Sequence, residues 1–156
     1  MAPMPVDDSA RLRAILSRAR RIAVFGHSDS PARDSYRIAA YLRRAGYTVY
    51  PVNPLHAVVG GERCYPDLAS LPETVEIVDV FRRPDGVPDA VAQTLALSAR
   101  QTASGAPAPV LWLQLGVWHA AAVARAEAAG LSVVAERCIM VEHRELLGPF
   151  AHRGSA

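Results

Sequence analysis

The chain has 156 residues, 51% of them hydrophobic, and its 17 basic and 15 acidic residues leave a formal charge of +2. That is enough apolar content to fill one compact core without disulfides, too little length for a second sizeable domain, and too balanced a charge to support nucleic-acid binding. All 17 basic residues are arginine; the lack of any lysine excludes a Walker-type phosphate loop and the Schiff-base chemistry of pyridoxal enzymes.

No apolar run at the N-terminus leads to a cleavage site and no stretch reaches bilayer length, so a cytoplasmic protein is expected. Cys64 and Cys138 stand far apart and outside any metal-ligand spacing, as free thiols in a reducing compartment would.

In chain order, Asp8 or Ser9 caps a first helix whose Leu12, Ile15, Leu16 and Ala19 share one face, and Ile22 to Phe25 form the first strand. A turn with Gly26, Ser28, Ser30, Arg33 and Ser35 follows and leads directly into a second helix. Ile38, Tyr41, Leu42 and Ala45 line that helix, and Gly46 closes it. Tyr47 to Val52 is the second strand. Asn53 to Pro66, with Gly60 and Gly61 at its bend, reads as a loop, and a short helical turn is expected near Asp67 to Ser70.

Val75 to Phe81 is the third strand, apolar except for Glu76 and Asp79. Pro88 suits the first turn of a helix carrying Val91 and Leu95. Gln101 to Pro109 reads as a flexible surface connection, Val110 to Leu115 as the fourth strand, Ala120 to Ala129 as a helix closed by Gly130, and Leu131 to Ala135 as the fifth strand. The core is expected over about residues 14–146, with a flexible tail from 148 onward.

Near-continuous apolar strands alternating with helices predict an α/β fold: a Rossmann-like, doubly wound three-layer sandwich around a mainly parallel five-stranded sheet. Ligands of such sheets lie across the carboxyl ends of the strands, and four segments with unusual residues converge there. These are the Gly26 to Ser35 turn, Asn53-Pro54, Phe81-Arg82-Arg83 and Gln114 to His119. The first of them is a phosphate seat. Unpaired N–H groups at a helix start and the positive end of its dipole favour an anion, which the fork of Arg33 can clamp.

A dinucleotide oxidoreductase fits less well. Gly26-His27-Ser28-Asp29-Ser30-Pro31 keeps one glycine of the three in the fingerprint, and the second strand ends in Asn53 rather than a ribose-binding acid.

Six ordered segments carry a family resemblance: Val24 to Tyr36, Pro51 to Pro54, Gly61 to Pro66, Val78 to Pro84, Trp112 to Gly116 and Arg137 to His143. Together they resemble the CoA-binding domain family, the stand-alone relatives of the N-terminal domain of the succinyl-CoA synthetase alpha subunit. The resemblance implies a Rossmann-type fold that binds coenzyme A, without the synthetase's ligase and phosphohistidine domains. Coenzyme A carries a pyrophosphate and a 3′-phosphate, which need several donors and no ribose-reading carboxylate.

On this reading the pyrophosphate falls to the Gly26 and Ser28 backbone, Arg33 and Ser35, with Ser30 and Tyr36 in the same turn. Asn53, Pro54 and His56 correspond to the adenosine region, where the relatives use a nearby Lys. Phe81, Arg82 and Arg83 close the crevice, and Gln114 and Gly116 admit the pantetheine arm. Trp112 and Trp118 read as packing residues.

The expected function is that of a carrier, sensor or accessory module for coenzyme A or an acyl-CoA, more a binder than an enzyme, with a homodimer or a catalytic partner protein compatible. The alternatives are a small NAD(P)-binding protein, a non-catalytic synthetase subunit, or an interaction protein whose crevice has decayed. His27, His119 and His143 have no partner in the sequence that would make them catalytic, and Glu142-His143 falls short of a metal site and reads as an anchor for the C-terminus. Cys64 or Cys138 would form a mixed disulfide with the cofactor's thiol if either reached it.

Overall fold

The computed structural model describes residues 8–148. The first helix, α1 (Ser9–Arg18), starts where the Asp8 carboxylate accepts the Ala10 N–H at 2.8 Å, and it buries Leu12 and Leu16 one turn apart. Strand β1 (Arg21–Phe25) is buried from Ile22 onward. Helix α2 (Asp34–Arg44) turns Ser35, Ile38, Ala39, Tyr41 and Leu42 inward. It ends in a Schellman arrangement: Gly46 adopts φ 109°, its N–H reaches the Arg43 carbonyl at 3.1 Å, and the Tyr47 N–H reaches that of Leu42 at 3.1 Å.

Strand β2 (Thr48–Val52) follows, and then a small antiparallel hairpin of β3 (Val58–Val59) and β4 (Glu62–Arg63) turns on Gly60 and Gly61. The segment read as a loop therefore contains paired strands, each only two residues long and too short for alternation to register in sequence. Asp67 caps the expected helical turn at Leu68–Ser70.

Strand β5 (Ile77–Val80) is buried throughout, and a tight turn at Pro84–Gly86 leads into α3 (Val87–Ala103). Gln101, expected in a flexible connection, belongs to this helix and is buried. Its side chain accepts the Val75 N–H at 2.9 Å and donates to the carbonyls of Val75 and Pro107 at 3.0 Å each, fixing the approach to β5.

Strand β6 (Val110–Leu113), α4 (Ala120–Ala128) and β7 (Val133–Val134) complete the repeating pattern, and the last strand is shorter than the expected Leu131 to Ala135. A fifth helix, α5 (Ile139–Leu147), occupies a stretch for which the sequence reading offered no element. The tail expected from 148 onward lies, beyond Gly148, outside the described residues.

All five strands of the main sheet are parallel, in the order β2-β1-β5-β6-β7. Strand residues alternate between faces, and each face has its own core. Ala23, Phe25, Val78, Val80, Leu111 and Leu113 pack with α3 and α4, while Ile22, Val24, Ile77, Trp112 and Val134 pack with α1, α2 and α5. The chain thus forms the expected three-layer, Rossmann-like α/β sandwich. After β1 the chain turns outward to β2, and the next strand of the main sheet, β5, adds on the other side of β1. The switch point lies between the carboxyl ends of β1 and β5, where such folds hold their ligands.

Candidate functional site

At that switch point lies a cleft of about 770 Å³, lined by the turn after β1, the residues after β2 and those after β5. Its floor depends on Gly26, which has φ 90° and has no room for a side chain: a Cβ there would stand 2.2 Å from the Phe81 carbonyl oxygen and 3.0 Å from Arg82 Cδ. The Phe81 N–H in turn donates to the Phe25 carbonyl at 2.8 Å, so the two strand ends close on one another.

The turn amides are largely engaged within the protein. Gly26 and His27 donate to the Val52 carbonyl at 2.7 and 3.3 Å, Ser28 to Ser35 Oγ at 2.9 Å, and Ser30 to Ser28 Oγ at 3.0 Å. These bonds shape the turn and leave its donors committed. Open donors are instead expected at Asp34, Ser35 and Tyr36, the first turn of α2, whose N–H groups have no intrahelical acceptor. With the helix dipole they favour an anion at the helix start, as the sequence suggested, while the loop amides of Gly26 and Ser28 are committed elsewhere.

Arg33 precedes this turn and lines the cleft together with Arg82 and Arg83. Arg82 is held in place. Its guanidinium lies 5.8 Å from the Phe25 ring centroid, and Gly86 leaves room for it, since a Cβ there would approach Arg82 Nε to 2.9 Å. Asp34 and Asp85 also line the cleft, and Asp34 pairs with Arg37 at 2.7 Å.

On the β2 side, the Asn53 side chain braces two loops, donating to the His27 carbonyl at 3.0 Å and accepting the Leu55 N–H at 3.0 Å. His56 Nε2 lies 3.7 Å from Asp29 Oδ1, linking the turn after β1 to the loop after β2.

The cleft brings together Gly26, Ser28, Arg33, Ser35, Asn53, His56, Phe81, Arg82 and Arg83, along with Ala32, Asp34, Leu55 and Asp85, which sequence reasoning did not name. Asp34 and Asp85 follow directly on arginine-bearing segments; a helix-start position and a Pro-Asp-Gly turn are the signals that would have placed them at the rim. Ser30, Tyr36 and Pro54 are not among the lining residues. The Tyr36 ring stands edge-on to His27, 5.7 Å between centroids, and its hydroxyl faces Gly60 of the hairpin.

Gln114 and Gly116 also lie outside the lining. Gln114 is buried, its Oε1 accepting the Ile139 N–H at 3.0 Å at the start of α5, whereas Gly116 is exposed on the loop after β6.

His27, His119 and His143 differ in role. His27 is buried, and its Nδ1–H donates to the Ser28 carbonyl at 2.7 Å. Burial holds its pKa below the ordinary imidazole value against the opposing effect of that bond, with nearby Arg43 and His56 adding to the depression. His119 Nδ1 accepts the Ala122 N–H at 3.1 Å and caps α4. His143 is fully buried, bonded to the Tyr41 hydroxyl at 2.9 Å and set edge-on against Tyr41 and Tyr47, so it fastens α5 to α2.

Cys64 is buried, its thiol pKa is raised by that burial, and it donates weakly to the Asn53 carbonyl; neither it nor Cys138 lines the cleft. No group of three or more metal-ligating side chains exists among the described residues, and none of their helices is long and apolar enough to cross a membrane.

A doubly wound parallel sheet with an arginine-fringed helix start at its switch point defines a Rossmann-like cofactor-binding domain. Within that class, the chain matches the CoA binding domain family over residues 20–144 and belongs to it. It is 33% identical over 140 residues to the uncharacterized protein YneT of Bacillus subtilis (strain 168), covering 90% of this chain and 97% of that protein. Among solved structures it resembles a hypothetical protein from Pyrococcus horikoshii OT3, with 37% identity, a TM-score of 0.83, and 95% and 99% of the two chains covered. A Thermus thermophilus structure gives 40% identity, a TM-score of 0.79, and coverage of 90% and 99%.

Proposed function

We propose that this chain binds coenzyme A or an acyl-CoA through its phosphates and pantetheine arm, acting as a carrier, a sensor or the accessory module of a catalytic partner. The observation that carries this reading, in a member of the CoA binding domain family, is the first turn of α2 facing the same cleft as Arg33 and Arg82. The residues suit the cofactor: donors and guanidinium groups for a diphosphate, and Leu55 and His56 on the side of the cleft that a nucleoside would take.

Asn53 bears on the alternative. NAD calls for a carboxylate at the end of β2, and here an amide stands there with both its ends bonded within the protein.

Calorimetric titration with coenzyme A, acetyl-CoA, NAD and NADP tests the reading. Coenzyme A or acetyl-CoA binding with NAD and NADP weaker by at least about 10-fold is expected, about 1.4 kcal/mol of discrimination, and preferential NAD or NADP binding overturns it. Arg82→Ala should weaken coenzyme A by about 10-fold or more, as loss of a charge-assisted bond worth about 1.5–3 kcal/mol requires. Unchanged affinity in the folded variant would remove Arg82 from the seat.

A further inference from the structure

The loop after β6 displays apolar side chains that its own fold does not bury. Leu115 is 63% exposed and Trp118 41%, while Val117 between them is buried. The loop is pinned: the Val117 N–H donates to the Gln114 carbonyl at 3.1 Å, Gly116 N–H reaches Glu136 Oε2 at 3.4 Å, and the Gln114 side chain is anchored on Ile139. Leu115 and Trp118 are thus held toward solvent by an ordered turn. Trp118 was expected to pack as Trp112 does, and only Trp112 does so, fully buried with its indole N–H on the Arg137 carbonyl at 2.9 Å.

The position of this lip along the sheet gives it a meaning. The order β2-β1-β5-β6 places Leu55, 81% exposed, at one end of the carboxyl edge, then the α2 start with Arg33, then Arg82 and Arg83, and finally Leu115 and Trp118. The edge runs from an apolar side chain through a charged stretch, where Asp34 and Asp85 stand among the arginines, to the apolar lip. At about 4.8 Å per strand, β6 ends roughly 10 Å from β1, within reach of the extended arm of a ligand whose phosphates sit at α2. A ligand with a flat base at one end, phosphates in the middle and an apolar tail at the other matches that sequence of surfaces.

Resting on the coenzyme A reading above, we infer that Leu115 and Trp118 form the seat of an apolar acyl chain, so that the ligand class is an acyl-CoA with a chain of medium length or longer rather than free coenzyme A. Gly116, exposed and with open space where a Cβ would lie, leaves the approach between the two side chains clear. The shielding is one-sided, so the tail gains part of the burial that a closed tunnel would give.

The test is a titration of the full chain with coenzyme A, acetyl-CoA and octanoyl-CoA, followed by calorimetry and by indole fluorescence. Trp118 is the exposed indole and Trp112 the buried one, so Trp118→Phe identifies the reporter. Octanoyl-CoA should bind at least about 10-fold tighter than acetyl-CoA, a fraction of what full burial of six methylenes would give, and it should shift the Trp118 emission. In Leu115→Ser and Trp118→Ser, checked for folding by circular dichroism, the octanoyl-to-acetyl ratio should fall toward one.

A ratio near one in the parent protein, with coenzyme A still bound, overturns the acyl seat and leaves the coenzyme A reading standing. So does a ratio that survives both serine substitutions. Failure of all three ligands to bind overturns both readings. A dimer that the serine substitutions dissociate, seen by sedimentation with the ratio unchanged, assigns the lip to a second copy of the chain and overturns the acyl seat.

Discussion

Gly26 shows how one residue ties sheet to site. Its positive φ and the 2.2 Å approach that a Cβ would make to the Phe81 carbonyl oxygen leave no place for a side chain. Gly26→Ala should cost about 1–3 kcal/mol through backbone conformation alone, with more from the displaced end of β5, and a lower urea midpoint measures it. Coenzyme A affinity should fall with it, because Phe81 and Arg82 both shift. The glycine was legible as the residue that ends an apolar strand before a polar turn. The fixing of Arg82 was not, since it depends on the Phe25 ring of a remote strand as well as on nearby Gly86, and a contact between distant segments leaves no mark on local pattern. The loop amides at Gly26 and Ser28 looked available for the same reason: their acceptors, the Val52 carbonyl and Ser35 Oγ, are supplied by other elements.

Among elements, α5 was the hardest to read. Its inward positions carry Ile139 and His143 one turn apart, and a histidine on an apolar face breaks the pattern that marks a helix. Gln114, expected beside the pantetheine arm, is occupied at the start of this helix. Gln114→Ala should leave the buried Ile139 N–H unpaired at a cost of about 1–3 kcal/mol. Equilibrium denaturation measures that cost, and faster amide exchange at the start of α5 localises it. The helices of the repeating units were legible by their period and the strands as apolar runs, β7 within the run from Leu131 to Ala135, whereas β3 and β4 lie among the glycines and charged residues of a segment that reads as a loop.

For the whole molecule, the parallel, doubly wound sheet followed from strands that read as continuous apolar runs, as a sheet covered on both faces requires. Asp79 is the exception within those runs. It is fully buried in β5, neither carboxyl oxygen has a hydrogen-bond partner among the described residues, and burial raises its pKa well above the ordinary carboxylate value. The folded state therefore holds this proton more tightly than the unfolded chain. The contribution to stability is full below the ordinary carboxylate value and is lost as pH rises toward the raised native one.

His27 acts in the opposite sense. Its lowered pKa favours the folded state above the ordinary imidazole value, and that advantage is lost as pH falls through the native one. Thermal unfolding across pH should show both effects, and Asp79→Asn should flatten the decline that begins as pH rises above the ordinary carboxylate value. An unchanged slope over that range in the variant would show that Asp79 holds its proton no more tightly in the folded protein than in the unfolded chain.

Thioesters acylate primary amines that linger beside them, and lysine is the side chain that supplies such amines. Every basic residue in this chain is arginine, including the three around the cleft. A guanidinium keeps the charge that draws in phosphate without offering a free amine to the electrophile. On the acyl-CoA reading proposed above, such a chain would hold an activated acyl group beside its cations without any side-chain amine being modified.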